Sequence, residues 1–412
     1  MTAIAGASWL VKPETRALMG ALDAVRAGGS RFVGGCVRNT LMGCGVDDID
    51  VATQLTPDVV TGVAKAAGFA VAPTGLEHGT VTVIVNHNPF EVTTLRRDVT
   101  TDGRRATVAF TESWEEDAGR RDFRLNALYA DADGVVHDPT GGGLEDARAG
   151  RIIFIGDAET RLREDHLRIL RFFRFSAWYA RGALDGRGLA ACKAMRAGID
   201  ALSVERVWKE FRKLLDAPDP RAALKGMDTI GVLARVAPEA TRLERLYRLI
   251  QIEDDLVVAH DALTRAAAML GDEAGARAFT QRMKASNEER ARLVGALGAA
   301  PRLVSYMSMR EVRRALYALG QETFEDRVRL AWAEDTGART TPQWRALLAL
   351  SQGWVRPTLA LSGDDILAAG VPAGPKVGAV RREVEAWWID ADFPDDRLSI
   401  VERLKAVAQG LR

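Results

Sequence analysis

The stretch Gly34–Thr53 reads GGCVRNTLMGCGVDDIDVAT, and it combines a glycine pair with two closely spaced aspartates. The pair Gly34 and Gly35 follows a short apolar run and precedes a predicted helix that starts near Cys36. Glycine lets the backbone approach a triphosphate closely, and the N–H groups at a helix N-terminus bind phosphate. A guanidinium adds charged hydrogen bonds to such a site, so we predict that Gly34, Gly35 and Arg38 bind a triphosphate.

The two aspartates, Asp48 and Asp50, flank Ile49 in what the pattern predicts to be a β-strand. Strand side chains alternate, so both carboxylates are expected on one face and Ile49 on the other. Two carboxylates on one face suit two Mg²⁺ ions about 3.5–4 Å apart, as in-line nucleotidyl transfer requires. We therefore predict Asp48 and Asp50 as metal ligands and catalytic residues. The alternative for an isolated Asp-x-Asp is a solvated loop.

A third catalytic carboxylate is predicted at Glu91, in the second strand of a β-hairpin. The run Thr80–Val85 is rich in β-branched residues, a turn signal follows at Asn86–Pro89, and Phe90–Leu95 is the second strand. The apolar neighbours of Glu91 are expected on the opposite side of the strand. The alternative for Glu91 is an ordinary exposed strand residue.

The distribution of these patterns along the chain predicts an α+β protein. Strand signals, which also include Arg31–Gly35 and Ala106–Phe110, are concentrated in the first third, with one predicted helix between Thr56 and Phe69. After Asp157, helical periodicity dominates. Turn-rich stretches mark candidate domain boundaries at 141–143, 217–220 and 356–363.

Composition excludes several classes of protein. The 412 residues contain 56 Lys+Arg and 56 Asp+Glu, so any basic surface for a nucleic acid must be local. Three cysteines, an odd number without metal-ligand spacing, argue against a disulfide framework and favour a reducing, cytoplasmic location. No segment approaches the roughly 18 apolar residues of a membrane span, so no membrane association is expected.

Further motifs follow Gly34–Thr53 in a fixed order: EVTTLR (91–96), DGRR (102–105), RRDFRLNA (120–127), REDHLRILRFFRF (163–175) and LSVER (202–206). Together the motifs resemble the family of class II CCA-adding enzymes and bacterial poly(A) polymerases, over residues 31 to 215. The resemblance implies a nucleotidyltransferase head with a small mixed sheet (1–140), a helical neck with a nucleotide-selecting motif (141–216), a helical body (217–355) and a helical, RNA-binding tail (356–412).

The resemblance also implies nucleotide-binding roles for Arg120, Asp122, Asn126, Asp165, Arg168, Arg171 and Arg174. Residues three apart share a face of a helix, so Asp165 and Arg168 are expected side by side. A carboxylate accepts from the amino group of cytosine or adenine, where uracil and guanine present a carbonyl, so this pair would select CTP and ATP. The alternatives are a surface salt bridge for Asp165 and Arg168, and pairing with neighbouring acids for the later arginines.

The implied activity is template-independent addition of CCA to tRNA from CTP and ATP, with Mg²⁺ as cofactor. The implied partners are tRNA or other RNA 3′ ends and nucleoside triphosphates. Poly(A) polymerase, a partial enzyme that adds only CC or A, and a non-catalytic RNA-binding protein with a relic head are the alternatives. The oligomeric state is left open by the sequence.

Two residues depart from the family pattern. Asn39 stands where aspartate is usual, and Ala106 stands where proline usually follows the arginine pair. The first departure puts in question a hydrogen bond or salt bridge that supports the triphosphate site. It leaves the carboxylates that would bind metal in place.

The C-terminal half carries weaker signals. Ser308 and Glu311 predict a helix-capping box, and the Trp387-Trp388 pair is expected to pack a helix. The glycine-rich stretch 370–378 resembles a helix-hairpin-helix turn that grips phosphate, with a plain turn as the alternative. His260 invites comparison with HD phosphohydrolases, but it is interpreted as structural and no such activity is expected.

Overall fold

The computed structural model describes residues 2–410 apart from 73–74, 76–78, 103–104, 257, 259, 336 and 338–339, and the side chains of 98–108 lie outside this description. The DGRR loop and the side chain of Ala106 therefore lie outside the described residues. The chain divides into two compact units, Met1–Pro238 and Glu239–Arg412. Over the part of the chain that the structure describes, no helix is long and apolar enough to cross a membrane.

The first unit is built on a mixed seven-stranded sheet, which confirms the predicted α+β head. The strand order is β3-β4-β5-β2-β1-β8-β9, with β2 and β5 parallel and the other pairs antiparallel. A separate two-stranded ribbon joins β6 and β7. The strands are β1 Ser30–Val33, β2 Asp50–Thr53, β3 Ala70–Ala72, β4 Thr80–Val85, β5 Asn88–Thr94, β6 Arg96–Asp102, β7 Arg105–Phe110, β8 Tyr129–Ala130 and β9 Val136–His137.

The predicted hairpin is confirmed as β4 and β5, although its turn is shorter than expected. Val85 pairs with Asn88, so only Asn86 and His87 form the loop, and both have positive φ angles of 48° and 66°. Two central residues with positive φ define the type I′ turn, whose twist matches that of paired strands. In β5, Phe90 and Val92 are buried and Glu91 between them is exposed, which is the predicted alternation.

The predicted strand around the two aspartates is wrong in its extent. Strand β2 begins at Asp50, so Asp48 is exposed in the connection that precedes it and Ile49 is only half-buried. The physical reason is that β1 supplies partners only from Asp50 onward, where Val33 pairs with Asp50. Asp48 and Asp50 therefore do not share one face of a regular strand.

Among the described residues, ten helices accompany the sheet before the second unit begins: α1 Pro13–Asp23, α2 Gly35–Met42, α3 Pro57–Ala66, α4 Trp114–Gly119, α5 Gly143–Ala149, α6 Ala158–Glu164, α7 Leu167–Tyr179, α8 Gly186–Met195, α9 Val204–Leu215 and α10 Arg221–Thr229, followed by the short α11 Leu233–Val236. The helix expected between Thr56 and Phe69 is α3, with Pro57 at its first position. Phenylalanine rings from the loop after α4 and from α7 pack together, Phe123 lying 5.2 Å from Phe175. This packing fixes α7 against the head.

Within the described residues of the second unit, the regular elements are helices joined by irregular connections. It contains α12 Leu243–Leu256, α13 Ala262–Met269, α14 Glu273–Arg282, α15 Asn287–Ala296, α16 Met309–Leu319, α17 Gln321–Glu334, α18 Thr341–Gln352, α19 Gly363–Ala368, α20 Pro375–Asp390 and α21 Arg397–Gln409. The capping box of Ser308 and Glu311 is confirmed at the start of α16. Trp388 is buried as expected, and Asp261 caps α13 and pairs with Arg292.

The glycine-rich stretch 370–378 is an exposed connection that leads into α20. Its phosphate-binding role stays a prediction, as do the four domains and the three boundaries between them that were drawn from the sequence.

Candidate active site

A cavity of about 470 Å³ in the first unit collects most of the predicted site residues. We call it the nucleotide cavity, and it is lined by Gly34, Gly35, Arg38, Asp50, Arg120, Arg121, Asp122, Asn126, Asp165, Leu167, Arg168, Arg171, Phe175 and Arg206. Among the predicted site residues, Asp48, Glu91 and Arg174 are not part of this lining. Residues from the glycine turn, the loop after α4 and the α6–α7 junction thus meet at one place.

The glycine turn is shaped by one residue. Gly34 has φ 70° and ψ −118°, in a region that side chains with a Cβ strongly disfavour, and it caps the N-terminus of α2. The first turn of α2 therefore begins directly at the cavity wall. A chain reversal this tight requires glycine at position 34, which accounts for the first residue of the motif.

The carboxylate edge of the cavity is set by strand pairing. In the parallel pairing of β2 with β5, Asp50 is directly opposite Glu91. Burial of Asp50 and the nearby charge of Glu91 raise the pKa of Asp50 to about 6, with Asp48 adding to the rise and Arg121 opposing it. Negative charge is thus concentrated at this edge, and the positive charge of Arg121 offsets only part of it.

This edge fits a divalent cation that is shared with a substrate. Within the described residues, no group of three or more His, Cys, Asp or Glu side chains forms a complete metal site. Mg²⁺ is usually held by one or two carboxylates together with substrate phosphates, so a complete protein cage is not expected. The donor chemistry of Asp48 and Asp50, and the excess of negative charge at Asp50, match that mode of binding.

Arg38 lies behind the glycine turn and is buried among neutral partners. It donates to Asn126 Oδ1 at 2.5 Å and to the Tyr179 hydroxyl at 2.8 Å, and its guanidinium lies 4.1 Å from the Tyr179 ring centroid. It also donates twice to Asn39 Oδ1, at 2.8 and 3.1 Å. Asn39 in turn donates from Nδ2 to the Gly45 carbonyl at 2.7 Å. Because a carboxylate has no N–H to donate, aspartate at position 39 would not make this last bond.

A second cluster fixes the two arginines that follow α4. Asp117 is buried and accepts from Arg120 Nε at 2.9 Å, from Arg121 Nη2 at 2.9 Å and from the Tyr129 hydroxyl at 2.7 Å. Burial acts to raise the pKa of Asp117, but the charges of Arg121 and Arg120 outweigh it and hold the pKa at about 2. Sequence reasoning missed Asp117 and the role of Arg121, because the motif pattern does not reveal their partners.

Asp122 connects the loop after α4 to helix α7. It accepts from Asn126 Nδ2 at 3.0 Å and from Arg171 Nε at 2.7 Å. Burial opposes ionisation, yet Arg171 and Asn126 together lower the pKa of Asp122. Glu210 of α9 is 3.7 Å from Arg171 and accepts from Arg174 Nε at 2.6 Å. The alternative of pairing with acids therefore describes both arginines in the absence of a ligand.

The predicted side-by-side arrangement of Asp165 and Arg168 is wrong. Asp165 is extended, with φ −156°, in the break between α6 and α7, so it does not share a helix face with Arg168. Its carboxylate instead accepts from Arg206 at 2.6 Å. Arg168 pairs with Glu164 and donates to the Arg120 carbonyl at 3.0 Å. Both side chains still line the nucleotide cavity, each fixed by a different partner.

Family models match two parts of the chain. The model described as "Poly A polymerase head domain" matches residues 30–153, and that described as "Probable RNA and SrmB- binding site of polymerase A" matches residues 183–243. The first match contains the glycine turn and the carboxylate edge. The second contains Arg206 and Glu210.

The chain is similar to curated proteins and to solved structures over most of its length. It is 31% identical to CCA tRNA nucleotidyltransferase 1, mitochondrial, of Danio rerio, over 87% of this chain and 83% of that one. It is 32% identical to the CCA-adding enzyme of Limosilactobacillus fermentum, over 92% and 93%. A crystal structure of the Bacillus stearothermophilus CCA-adding enzyme in complex with CTP superposes with a TM-score of 0.78 at 28% identity, over 97% of this chain and 100% of that one. These similarities show that the chain belongs to the family of CCA-adding enzymes, the tRNA nucleotidyltransferases.

Proposed function

We propose that this chain adds CCA to the 3′ end of tRNA, with CTP and ATP as substrates and Mg²⁺ as cofactor. The observation that carries the proposal is one cavity that joins a carboxylate edge to a ring of arginines and a glycine turn. That combination suits a triphosphate with its metal. Solved relatives have been captured with CTP, with ATP and with tRNA, which supports the same substrates here.

The two ends of a bound nucleotide would meet different residues. The triphosphate would lie against the N-terminus of α2, near Arg38, Arg120 and Arg171. Asp48 and Asp50 would hold Mg²⁺, which when bound supplies charge stabilisation at the reacting phosphate and activates the attacking hydroxyl. Glu91 lies beside Asp50 and completes the carboxylate edge. These roles are proposals drawn from position and charge.

Base selection is proposed to depend on Asp165 and Arg168. Asp165 uses one carboxylate oxygen for the Leu167 N–H and the other for Arg206. A carboxylate oxygen accepts more than one hydrogen bond, so the amino group of cytosine or adenine can still bind. Because these partners fix both side chains before a nucleotide arrives, the same acceptor and donor would meet each incoming base.

Poly(A) polymerase remains a second candidate, because the family model that matches the head carries that description. The cytoplasm remains the proposed location, on the cysteine content alone.

The test uses the purified chain, Mg²⁺ and labelled tRNA that lacks its 3′ CCA, with CTP alone, ATP alone or both nucleotides. Products are resolved at single-nucleotide resolution, and tRNA that already ends in CCA is the control. Three additions that require both nucleotides are the expected result. A long ladder from ATP alone would replace the proposal with poly(A) addition, and no incorporation under any condition would overturn both.

A further inference from the structure

A second cavity, of about 630 Å³, lies within the second unit and has no part in the proposed catalysis. Much of its wall is the irregular segment 297–306, between α15 and α16. Helix α17 contributes Arg327 and Glu334, and α18 contributes Trp344. We call this the Tyr306 cavity, after the exposed aromatic residue on its wall.

The acidic residues of this cavity are already engaged. Asp272 caps α14 by accepting from the Gly275 N–H at 2.9 Å. Glu334 pairs with Arg245 at 2.7 Å and with Arg242 at 3.0 Å. Asp335 accepts from the indole N–H of Trp344 and the hydroxyl of Thr340, each at 2.8 Å. Glu334 is thus neutralised by ion pairs, whereas Asp272 and Asp335 keep their charge and direct oxygens to neutral donors of neighbouring residues.

Two arginines on the wall are held differently. Arg327 donates to the carbonyls of Gly295 and Ala300, each at 2.7 Å, and in the described part of the chain it makes no ion pair. Burial lowers its pKa, and the nearby Glu273, which raises it slightly, is itself paired with Arg277 at 2.5 Å. Arg302 is exposed and likewise has no ion pair with any residue the structure describes. Arg302 and Arg327 thus carry guanidinium charge that no ion pair within the described residues neutralises.

Gly298 makes room for this arrangement. A Cβ at position 298 would come too close to Nη2 of Arg327, so the guanidinium would have to shift from its present position beside the Gly295 and Ala300 carbonyls. Arg327 is therefore positioned by its surroundings rather than free to move.

Tyr306 adds an aromatic surface to this charge. Its side chain is 82% exposed, whereas Trp344 on the same wall is 3% exposed. A tyrosine ring left in water has apolar area that a flat ligand can cover. Nucleic-acid sites that lack sequence preference combine such rings, on which bases stack, with arginines that contact phosphate.

We propose that the Tyr306 cavity binds one unpaired nucleotide of an RNA strand, with the base stacked on Tyr306 and the phosphate contacted by Arg302 and Arg327. This inference rests on the proposed function, which supplies the RNA partner. The cavity volume, the two guanidiniums that make no ion pair within the described residues, and the exposed ring are the observations that carry it. A free nucleotide offers the same chemistry, and the experiment separates the two sources.

The experiment measures the Kd of the full chain for labelled tRNA lacking CCA by fluorescence anisotropy, for wild type, R302A, Y306A, Y306F and R302A/Y306A. We expect Y306A to weaken RNA binding on the order of tenfold, with Y306F near wild type because phenylalanine also stacks. R302A should reduce the dependence of log Kd on log salt by about one phosphate contact. R290A and V355A, which change exposed residues outside the cavity, are the controls.

A second readout keeps failure of this inference distinct from failure of the proposed function. Nucleotide addition to saturating tRNA should proceed at the wild-type rate in R302A/Y306A, with KM raised for tRNA and unchanged for CTP. If R302A/Y306A bound tRNA like wild type, the inference would be wrong although the enzyme still added CCA. The inference would also be wrong if only binding of free CMP or AMP were lost, since the ligand would then be a free nucleotide. Thermal unfolding of each variant confirms that the chain is folded.

Discussion

The strand side and the helix side of the nucleotide cavity hold their charges in different ways. On the strand side, Asp50 and Glu91 are placed together by sheet pairing, and no arginine neutralises them fully. On the helix side, Arg120 is paired with Asp117, and Arg168 is paired with Glu164 and donates to the Arg120 carbonyl. The difference indicates that the helix side is a preorganised scaffold, whereas the proposed Mg²⁺ would complete the strand side.

Asp50→Asn gives the largest expected effect, because it removes the half-buried carboxylate of the strand side. We expect kcat/KM for CTP addition to fall by at least about 10²-fold, the scale of losing one group that stabilises a transition state. The matched control is D47N, which neutralises an exposed aspartate in the connection that precedes β2. Near-normal addition by D50N would show that the strand side does not carry the chemistry.

D50N is also expected to have a higher free energy of unfolding than wild type when a chelator removes metal, and the difference should depend on pH. The folded-state pKa of Asp50, about 6, lies above its ordinary value because of burial and Glu91. The protonated carboxyl of Asp50 therefore contributes to the free energy of unfolding. This contribution is fully present below the pKa of the unfolded state and is lost as the pH rises through about 6. We expect D50N to be more stable than wild type by about 2–3 kcal/mol at pH 7.5, and by much less at pH 4.

Chemical denaturation at the two pH values measures this difference. An equal stability difference at pH 4 and 7.5 would mean that Asp50 is not the group that titrates.

Asp165→Ala tests the helix side. It removes the acceptor for the base amino group and leaves Arg206 without a partner at that position. Discrimination of CTP over UTP, measured as a ratio of kcat/KM values, should fall on the order of tenfold. The control is R163A, since Arg163 pairs with Glu159 at the exposed side of α6. Unchanged discrimination in D165A would place base selection elsewhere.

Asn39→Asp is the smallest expected effect and addresses a residue that departs from the family pattern. Arg38 has neutral hydrogen-bond partners, so its charge is available to a triphosphate. An aspartate would compete for that charge and lose the bond to the Gly45 carbonyl. We expect KM for CTP and ATP to rise about threefold, the size of a partly exposed ion pair. A lower KM in N39D, compared with N39A, would show that the natural asparagine weakens the site instead.

The features that the sequence predicted correctly depend on residues close together in the chain. The hairpin, the glycine turn and the capping box of α16 each follow from a few consecutive residues. Glu91 was predicted as a third carboxylate, but its pairing with Asp50 was not, because parallel register is set by the whole sheet. Strand β6 was not predicted, because the second strand of the predicted hairpin stopped at Leu95 and no strand was assigned to the residues that follow.

The errors at the site concern long-range partners. The motif spacing of Asp165 and Arg168 suits a continuous helix, but no local pattern reveals that the chain breaks between α6 and α7. Arg206, 41 residues further on, satisfies Asp165, and Glu210 satisfies Arg174. These ion pairs exist only after α7 packs on α9, so their partners could not be read from the sequence.

The two-residue turn at Asn86 and His87 has a consequence for how this enzyme can vary in length. Val85 pairs with Asn88, so the loop has only two residues. If one residue were inserted there and β5 shifted by one position to absorb it, each side chain of β5 would move to the opposite face of the sheet. Glu91 would then point toward the interior, and the buried Phe90 and Val92 would take its place beside Asp50. A solvent-exposed loop that looks free to accept insertions is thus constrained by the proposed catalytic role of Glu91.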